Sequence, residues 1–315
     1  MRIGKRITRT SAEDQLMSVL AQGHLNKMQV TIASEPADQA TYLLQLGGQN
    51  ININALLGKT IRLEHLGEII CRHCGRGTRK SYAQGYCYPC MQRLPECDVC
   101  IMSPEKCHYA AGTCRDPSWG ERFCMQPHVV YLANSSALKV GITRVNQMPT
   151  RWLDQGASQA VPIMQVATRK LSGEVETVLK SFVADKTNWR ALLKGQAAEI
   201  DLLAERDRLL QEAADPLQAL LANVADSDYS WLEHMPTHIS YPVNQYPEKI
   251  VSHNLDKEPV LEDQLLGIKG QYLIFAKRVI NIRKYSSYLV QLSACLLYTS
   301  PSPRDRSLSR MPSSA

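Results

Sequence analysis

Short stretches in which apolar and polar residues alternate, or in which apolar residues run together, open the chain. Gln29-Val-Thr-Ile32, Thr41-Tyr-Leu-Leu-Gln-Leu46, Ile51-Asn-Ile-Asn54 and Thr60-Ile-Arg-Leu-Glu64 follow one another, punctuated by Gly47-Gly48 and Gly58. A period of two puts successive side chains on opposite faces of a strand, and glycine supplies the turns between strands. Residues 28–70 therefore read as a β-rich segment, preceded over 1–27 by a loose, partly helical extension. The same grain returns near the other end, in Gly270-Gln-Tyr-Leu-Ile-Phe275, Val279-Ile-Asn-Ile-Arg283 and Tyr288-Leu-Val-Gln-Leu292. Neither set makes a comfortable closed sheet alone. The two ends, 28–70 and a C-terminal β segment over 261–294, are expected to pair, with the middle of the chain inserted between them.

The middle has a different rhythm. His128-Val-Val-Tyr131-Leu-Ala133 and Leu138-Lys139-Val-Gly141-Ile-Thr143-Arg144 are two strands around an Asn134-Ser-Ser turn. Pro149-Thr-Arg151-Trp152 opens a helix, Ile163-Met-Gln-Val-Ala167 is a third strand, and Glu174-Val-Glu176-Thr-Val-Leu-Lys-Ser-Phe182 is a second helix. A hairpin, helix, strand, helix order packs as a small α/β layer, here over 128–190. Beyond it, Leu192, Leu193, Ala197, Ile200, Leu203, Ala204, Leu210 and Ala213 recur at helical spacing and read as core. Pro216 starts a further helix, and Pro236, Pro242, Pro247 and Pro259 mark a long ordered loop, so 191–260 is a helical and loop region. The fold class is α+β.

Cysteine placement changes the picture most. Cys71, Cys74, Cys87, Cys90, Cys97, Cys100, Cys107, Cys114 and Cys124 crowd one module over 71–127, and only Cys295 lies elsewhere. Cys71-Arg-His-Cys74 and Cys87-Tyr-Pro-Cys90 are paired CxxC knuckles, the ligand spacing of a four-cysteine zinc site, because each tight turn aims two thiolates at one ion. Cys97, Cys100, Cys107 and Cys114 are the economical set for a second ion, with Cys124, His108 and His128 as competitors. Two structural zinc ions are expected. The alternative, a disulfide framework, belongs to secreted chains, and no secretory feature is present: the basic start Met1-Arg-Ile-Gly-Lys-Arg is followed by no apolar run. A cytoplasmic protein with reduced thiols and no membrane span is the expectation.

The 315 residues allow several domains, and 44% hydrophobic with 21% charged residues is the make-up of a chain that buries a core. The net charge of +6 is unevenly spread. Arg72, Arg76, Arg79, Lys80 and Arg93 fall in the first knuckle pair without a single acid, and Tyr82, Tyr86 and Tyr88 are interleaved with them. Cations neutralise phosphates and aromatic faces stack on exposed bases, so Arg76, Arg79, Lys80 and Tyr82 are candidate nucleic-acid contacts, DNA or RNA. As ordinary surface, the same cations would be solvated and the tyrosines would pack around the metal.

The α/β segment resembles the GIY-YIG endonuclease superfamily over roughly 128–185, in its divergent branch with a Lys-Ile-Gly-like second motif. Val129-Val-Tyr131 stands at the first motif, which lacks its leading glycine here, and Lys139-Val-Gly141 at the second, with lysine in place of tyrosine. The resemblance implies that Tyr131 helps activate the attacking water, Arg151 steadies the scissile phosphate and Glu176 holds a magnesium-type ion. Tyr131, Lys139, Arg151 and Glu176 are thus the candidate catalytic residues of a metal-dependent phosphodiesterase. The rival is a non-catalytic zinc-stabilised binding or scaffold protein. Over about 28–294 the chain is also similar to one bacterial family, the domain of unknown function 2797. It shares stretches such as Tyr86-Cys-Tyr-Pro-Cys90, Gly112-Thr-Cys-Arg-Asp-Pro117 and Ala184-Asp-Lys-Thr-Asn-Trp-Arg190. That similarity implies no activity. The last stretch, 295–315, is rich in Ser, Pro and Arg without periodicity, resembles translated adaptor sequence, and is expected to be a disordered, non-native tail.

Overall fold

The computed structural model describes residues 17–32, 38–183 and 188–295. Its elements run β1 (Met17–His24), β2 (Gln29–Ile32), β3 (Ala40–Leu46), β4 (Gln49–Asn52) and β5 (Thr60–Ile69), then α1 (Tyr88–Arg93) and α2 (Pro117–Phe123). There follow β6 (His128–Asn134), β7 (Leu138–Arg144), α3 (Thr150–Asp154), β8 (Gln159–Val166) and α4 (Arg169–Lys180). Next come α5 (Trp189–Lys194), α6 (Leu202–Glu212), α7 (Ala214–Leu221), β9 (Tyr229–Trp231) and β10 (Thr237–His238). The chain closes with β11 (Val260–Lys269), β12 (Tyr272–Phe275), β13 (Val279–Asn281) and β14 (Tyr288–Cys295). The architecture is mixed α+β.

Strands from both ends share an antiparallel sheet ordered β1-β14-β5-β11-β12-β13. Its centre is β5, whose Leu63 lies opposite Leu292 on one side and Leu261 on the other. A side-chain period of two puts Ile61 and Leu63 of β5 into one core with Val290, Leu292 and Ala294 of β14, and β2-β3-β4 form a small separate sheet feeding that core.

The middle of the chain makes the third sheet, ordered β10-β8-β6-β7, with β9 on β8 as well. Every residue of β6 is buried. Val129, Tyr131 and Ala133 face the β-rich core, whereas Val130 and Leu132 pack with Val175 and Leu179 of α4, Leu209 of α6 and Leu217 of α7. Burial on both faces is why this strand reads as a continuous apolar run rather than an alternating one. Helix α3 is locked to the β body through Asp154, which accepts from Lys27 Nζ at 2.7 Å and Gln271 Nε2 at 2.8 Å. Gln271 in turn accepts from Met28 N at 2.8 Å.

Three expectations need correction. Within the supposed loose extension, Met17–His24 is a strand paired with β14. Ala21 is its one buried residue, so the local sequence carries little periodic signal and the edge offered by β14 creates the element. Cys295 is not tail but the buried last residue of β14, opposite Met17. The loop over 225–260 contains β9 and β10, too short to show a period and held by β8. The extension before residue 17, the tail after Cys295 and positions 184–187 of the shared Ala184–Arg190 stretch lie outside the described residues. Among the described residues, no helix is long and apolar enough to cross a membrane.

Candidate metal centre and cationic cleft

Strand β5 runs straight into the first knuckle. Cys71 N donates to Arg76 O at 2.8 Å and Gly75 N to Cys71 O at 2.9 Å, a turn that needs Gly75 at φ +69°. Cys87 caps α1 and Cys90 sits in its first turn, so both thiols point the same way. The four Sγ atoms of Cys71, Cys74, Cys87 and Cys90 lie within 4.8 Å of one another, and Cys74 Sγ is 3.8 Å from Cys87 Sγ. A tetrahedron with Zn–S of about 2.3 Å has an edge of about 3.8 Å, so the donor set fits a structural metal such as zinc. A disulfide would need about 2.05 Å, and all the cysteines are free thiols. Burial alone would push Cys71 up, yet the backbone N–H groups of Cys74, Cys87 and His73 together hold it down at about 6. Burial and the surrounding thiols push Cys90 up to about 12.

The basic loop between the knuckles is a tight hairpin, with Tyr82 N donating to Tyr86 O at 2.8 Å. Tyr86 is buried against the cysteines and donates to Glu96 at 3.2 Å. Arg76, Arg79 and Lys80 are exposed, and Lys80 Nζ stands 5.5 Å from the centre of the Tyr82 ring.

The second group of cysteines is arranged differently. Cys100, Cys107, Cys114 and Cys124 line one cavity of about 20 Å³, with Asp98 and His108 beside them. Cys97 is not among the lining residues; it packs against the first cluster. Ligand atoms of Asp98, Cys100 and His108 lie within 4.8 Å of one another, but Asp98 is engaged by Arg115 Nε at 2.7 Å and Val99 N at 2.6 Å.

A cleft of about 440 Å³ opens between the second cysteine module, β7, α3 and α4, within the size range of ligand sites. Lys139, Arg144, Arg151, Arg169, Lys180 and Arg283 line it, against one carboxylate, Glu176. Glu176 has its side chain 14% exposed and pairs with Lys180 at 3.1 Å. Tyr131 stands behind the cleft wall. Its cross-strand partner is Gly141, and a Cβ there would come within 2.6 Å of the Tyr131 Cζ and hydroxyl. The glycine of the Lys139-Val-Gly141 motif therefore makes room for the ring. Tyr131 donates to Gln155 Oε1 at 3.0 Å and is fully buried. Burial pushes its hydroxyl up to about 12, with Arg151 pulling down and Glu176 pushing up, so it stays protonated at neutral pH.

His128, weighed from sequence as a metal ligand, lines the cleft instead. Its Nδ1 is 2.6 Å from Gln126 O; a carbonyl only accepts, so Nδ1 carries the proton and Nε2 presents a lone pair. Burial, seconded by Arg169 and Arg144, pulls the ring down to about 4 against the Gln126 hydrogen bond, leaving it neutral. Among the described residues, His128 Nε2 and Arg169 Nε are buried atoms without a hydrogen-bond partner. Arg169 Nη2 donates to Ile101 O at 2.7 Å.

Of the four residues taken from the superfamily resemblance, Lys139, Arg151 and Glu176 line the cleft and Tyr131 backs it. Arg76, Arg79, Lys80 and Tyr82 do not line it. Sequence reasoning missed Arg144, Arg169, Lys180 and Arg283 as cleft residues. Arg169 was findable as the first residue of the Glu176 helix; Arg283 comes from a short turn after β13 and carried no signal.

The family described as "Protein of unknown function (DUF2797)" matches the chain over residues 58–290. No curated protein and no solved structure matches it.

Proposed function

The chain belongs to the DUF2797 family, which supplies no activity, and from the cleft we propose a zinc-stabilised nucleic-acid-binding protein that cleaves phosphodiester bonds in the manner of a divergent GIY-YIG enzyme. The observation that carries this reading is six cations and a single carboxylate around one cleft that also holds the unpartnered His128 Nε2. A polyanion satisfies such a surplus, and a buried unpaired acceptor beside it is placed to take a proton.

In this reading Arg151 and Arg169 hold the scissile phosphate. Water attacks phosphorus and His128 Nε2 accepts its proton, while the Lys139 ammonium gives a proton to the departing oxygen as the P–O bond breaks. Tyr131 keeps its proton and orders the wall through Gln155. Glu176, the one carboxylate of the cleft, would hold a magnesium-type ion, and the ion would supply charge neutralisation at the phosphate. Zinc at Cys71, Cys74, Cys87 and Cys90 anchors the basic hairpin, whose Gln84 side chain accepts from Arg283 of the cleft.

A second reading, binding without catalysis, is favoured by the complete burial of Tyr131 and the lysine at the second motif. One experiment separates them. The full chain is incubated with labelled single- and double-stranded DNA and RNA, with magnesium or chelator. Magnesium-dependent cleavage that disappears in Glu176→Gln while binding persists is the expected result. Binding without cleavage in the wild type establishes the second reading, and absence of binding removes both.

A further inference from the structure

Cys100, Cys107, Cys114 and Cys124 come from four separate turns, yet all line one cavity of about 20 Å³, room for a single ion or water. Cys100 lies within the Val99–Ile101 turn capped by Asp98, Cys107 ends the Pro104–Lys106 turn, Cys114 precedes α2 and Cys124 ends it. A Cβ at Gly120 would meet the Tyr109 ring at 3.1 Å and Cys114 Sγ at 3.6 Å, so the glycine lets α2 lie close against the tyrosine and one of the thiols. Cys97, the nearest cysteine in sequence, faces the first cluster instead. Asp98 is neutralised by Arg115 and shared with His108 Nε2 at 3.4 Å, and it closes one side of the cavity as a carboxylate–histidine pair.

We infer that Cys100, Cys107, Cys114 and Cys124 form a second, structural zinc centre, with Cys124 rather than Cys97 as the fourth ligand. Among the described residues no three of these thiols stand within 4.8 Å of one another, as all four do in the first cluster; a bound zinc would draw them from the cavity wall into a closed tetrahedron with no open position and no role in chemistry. Its role is to fix the wall of the cleft. Cys124 O accepts from Arg169 N at 2.8 Å, Ile101, next to Cys100, accepts from the Arg169 guanidinium, and Pro104 packs so closely on Gly173 that a Cβ there would meet it at 2.6 Å. The metal therefore ties three loops to the N-terminal half of α4, the helix that carries Glu176.

The test needs no assumption about nuclease activity. Full-length protein purified from zinc-supplemented cells is assayed for metal per chain and for alkylation of each cysteine by peptide mapping. The expected result is two zinc ions, with Cys124 protected until a chelator is added and half-buried Cys97 modified from the start. Cys124→Ser and Cys107→Ser each drop to one ion, Cys97→Ser keeps two, and Cys74→Ser drops to one while Cys124 stays protected. A wild-type content of one ion, loss of the second ion in Cys97→Ser, or loss of it in Asp98→Ala with retention in Cys107→Ser overturns the assignment. Alkylation mapping is done on the wild type, so it decides even if a variant fails to fold.

Discussion

Two cationic surfaces of this molecule are built in opposite ways. On the knuckle hairpin, Arg76, Arg79 and Lys80 follow one another closely in sequence, are exposed, and keep their hydration. In the cleft, Lys139, Arg151, Arg169 and Arg283 come from a strand, two helices and a turn far apart in sequence. Lys139 is only 8% exposed, and Arg169 is bound to Ile101 O. Solvated charges are screened and adapt to any polyanion, whereas charges held in a partly dehydrated wall act at fixed positions and at a lower effective dielectric. On the proposed function the hairpin would be a general attractor of polyanions and the cleft the place where one phosphate is held in register.

The sharpest way to break that comparison is Arg151→Ala. If the cleft is preorganised for a phosphate, removing one fixed donor should lower single-turnover cleavage by roughly 100- to 1,000-fold, about 3–4 kcal/mol, with a much smaller change in affinity. An equal loss in both quantities would place the cleft on a par with the hairpin.

A second expectation concerns acid. The unfolded chain protonates His128 near its ordinary 6.5, while the folded protein holds it neutral down to about 4. The unfolded state therefore binds the proton first as pH falls. The stability this ring leaves to the fold is intact above about 6.5 and is lost progressively as pH drops toward 4, on the order of 3 kcal/mol in all. Thermal unfolding between pH 7 and 4 should show a shallower acid decline in His128→Gln than in the wild type; identical curves would mean the ring protonates freely in the fold.

The smallest effect belongs to the hairpin. Arg79→Ala with Lys80→Ala should weaken nucleic-acid binding by about tenfold at low salt and reduce the slope of log K against log salt by roughly one unit per lost contact, leaving the cleavage step unchanged. A changed single-turnover rate would show that the hairpin reaches the reacting phosphate.

Much of the molecule was legible in the chain because its signals are local. Paired knuckles force four thiols together whatever surrounds them, and the Cys71–Cys90 cluster follows. The apolar run around Tyr131, the Asn134 turn and Gly141 specify a hairpin, and the helix carrying Glu176 announces itself by its period. What remained illegible depends on partners distant in sequence. Strand β1 exists because β14 presents an edge to it. Spacing favours Cys97 over Cys124 for the second group, and only the path of α2 places Cys124 at the second cavity and leaves Cys97 against the first cluster.

The cleft shows the same division at its most consequential. Residue type and spacing determined that Lys139, Arg151 and Glu176 sit on a strand and two helices of one small layer. Tertiary packing alone decided that Arg283 arrives from the C-terminal segment, that Arg169 is pinned by the cysteine module, and that His128 lines the same space with its Nε2 buried and unpartnered. The reason is physical: short-range periodicity encodes which face a side chain takes, but the convergence of charges from separate elements is set by how those faces pack against one another.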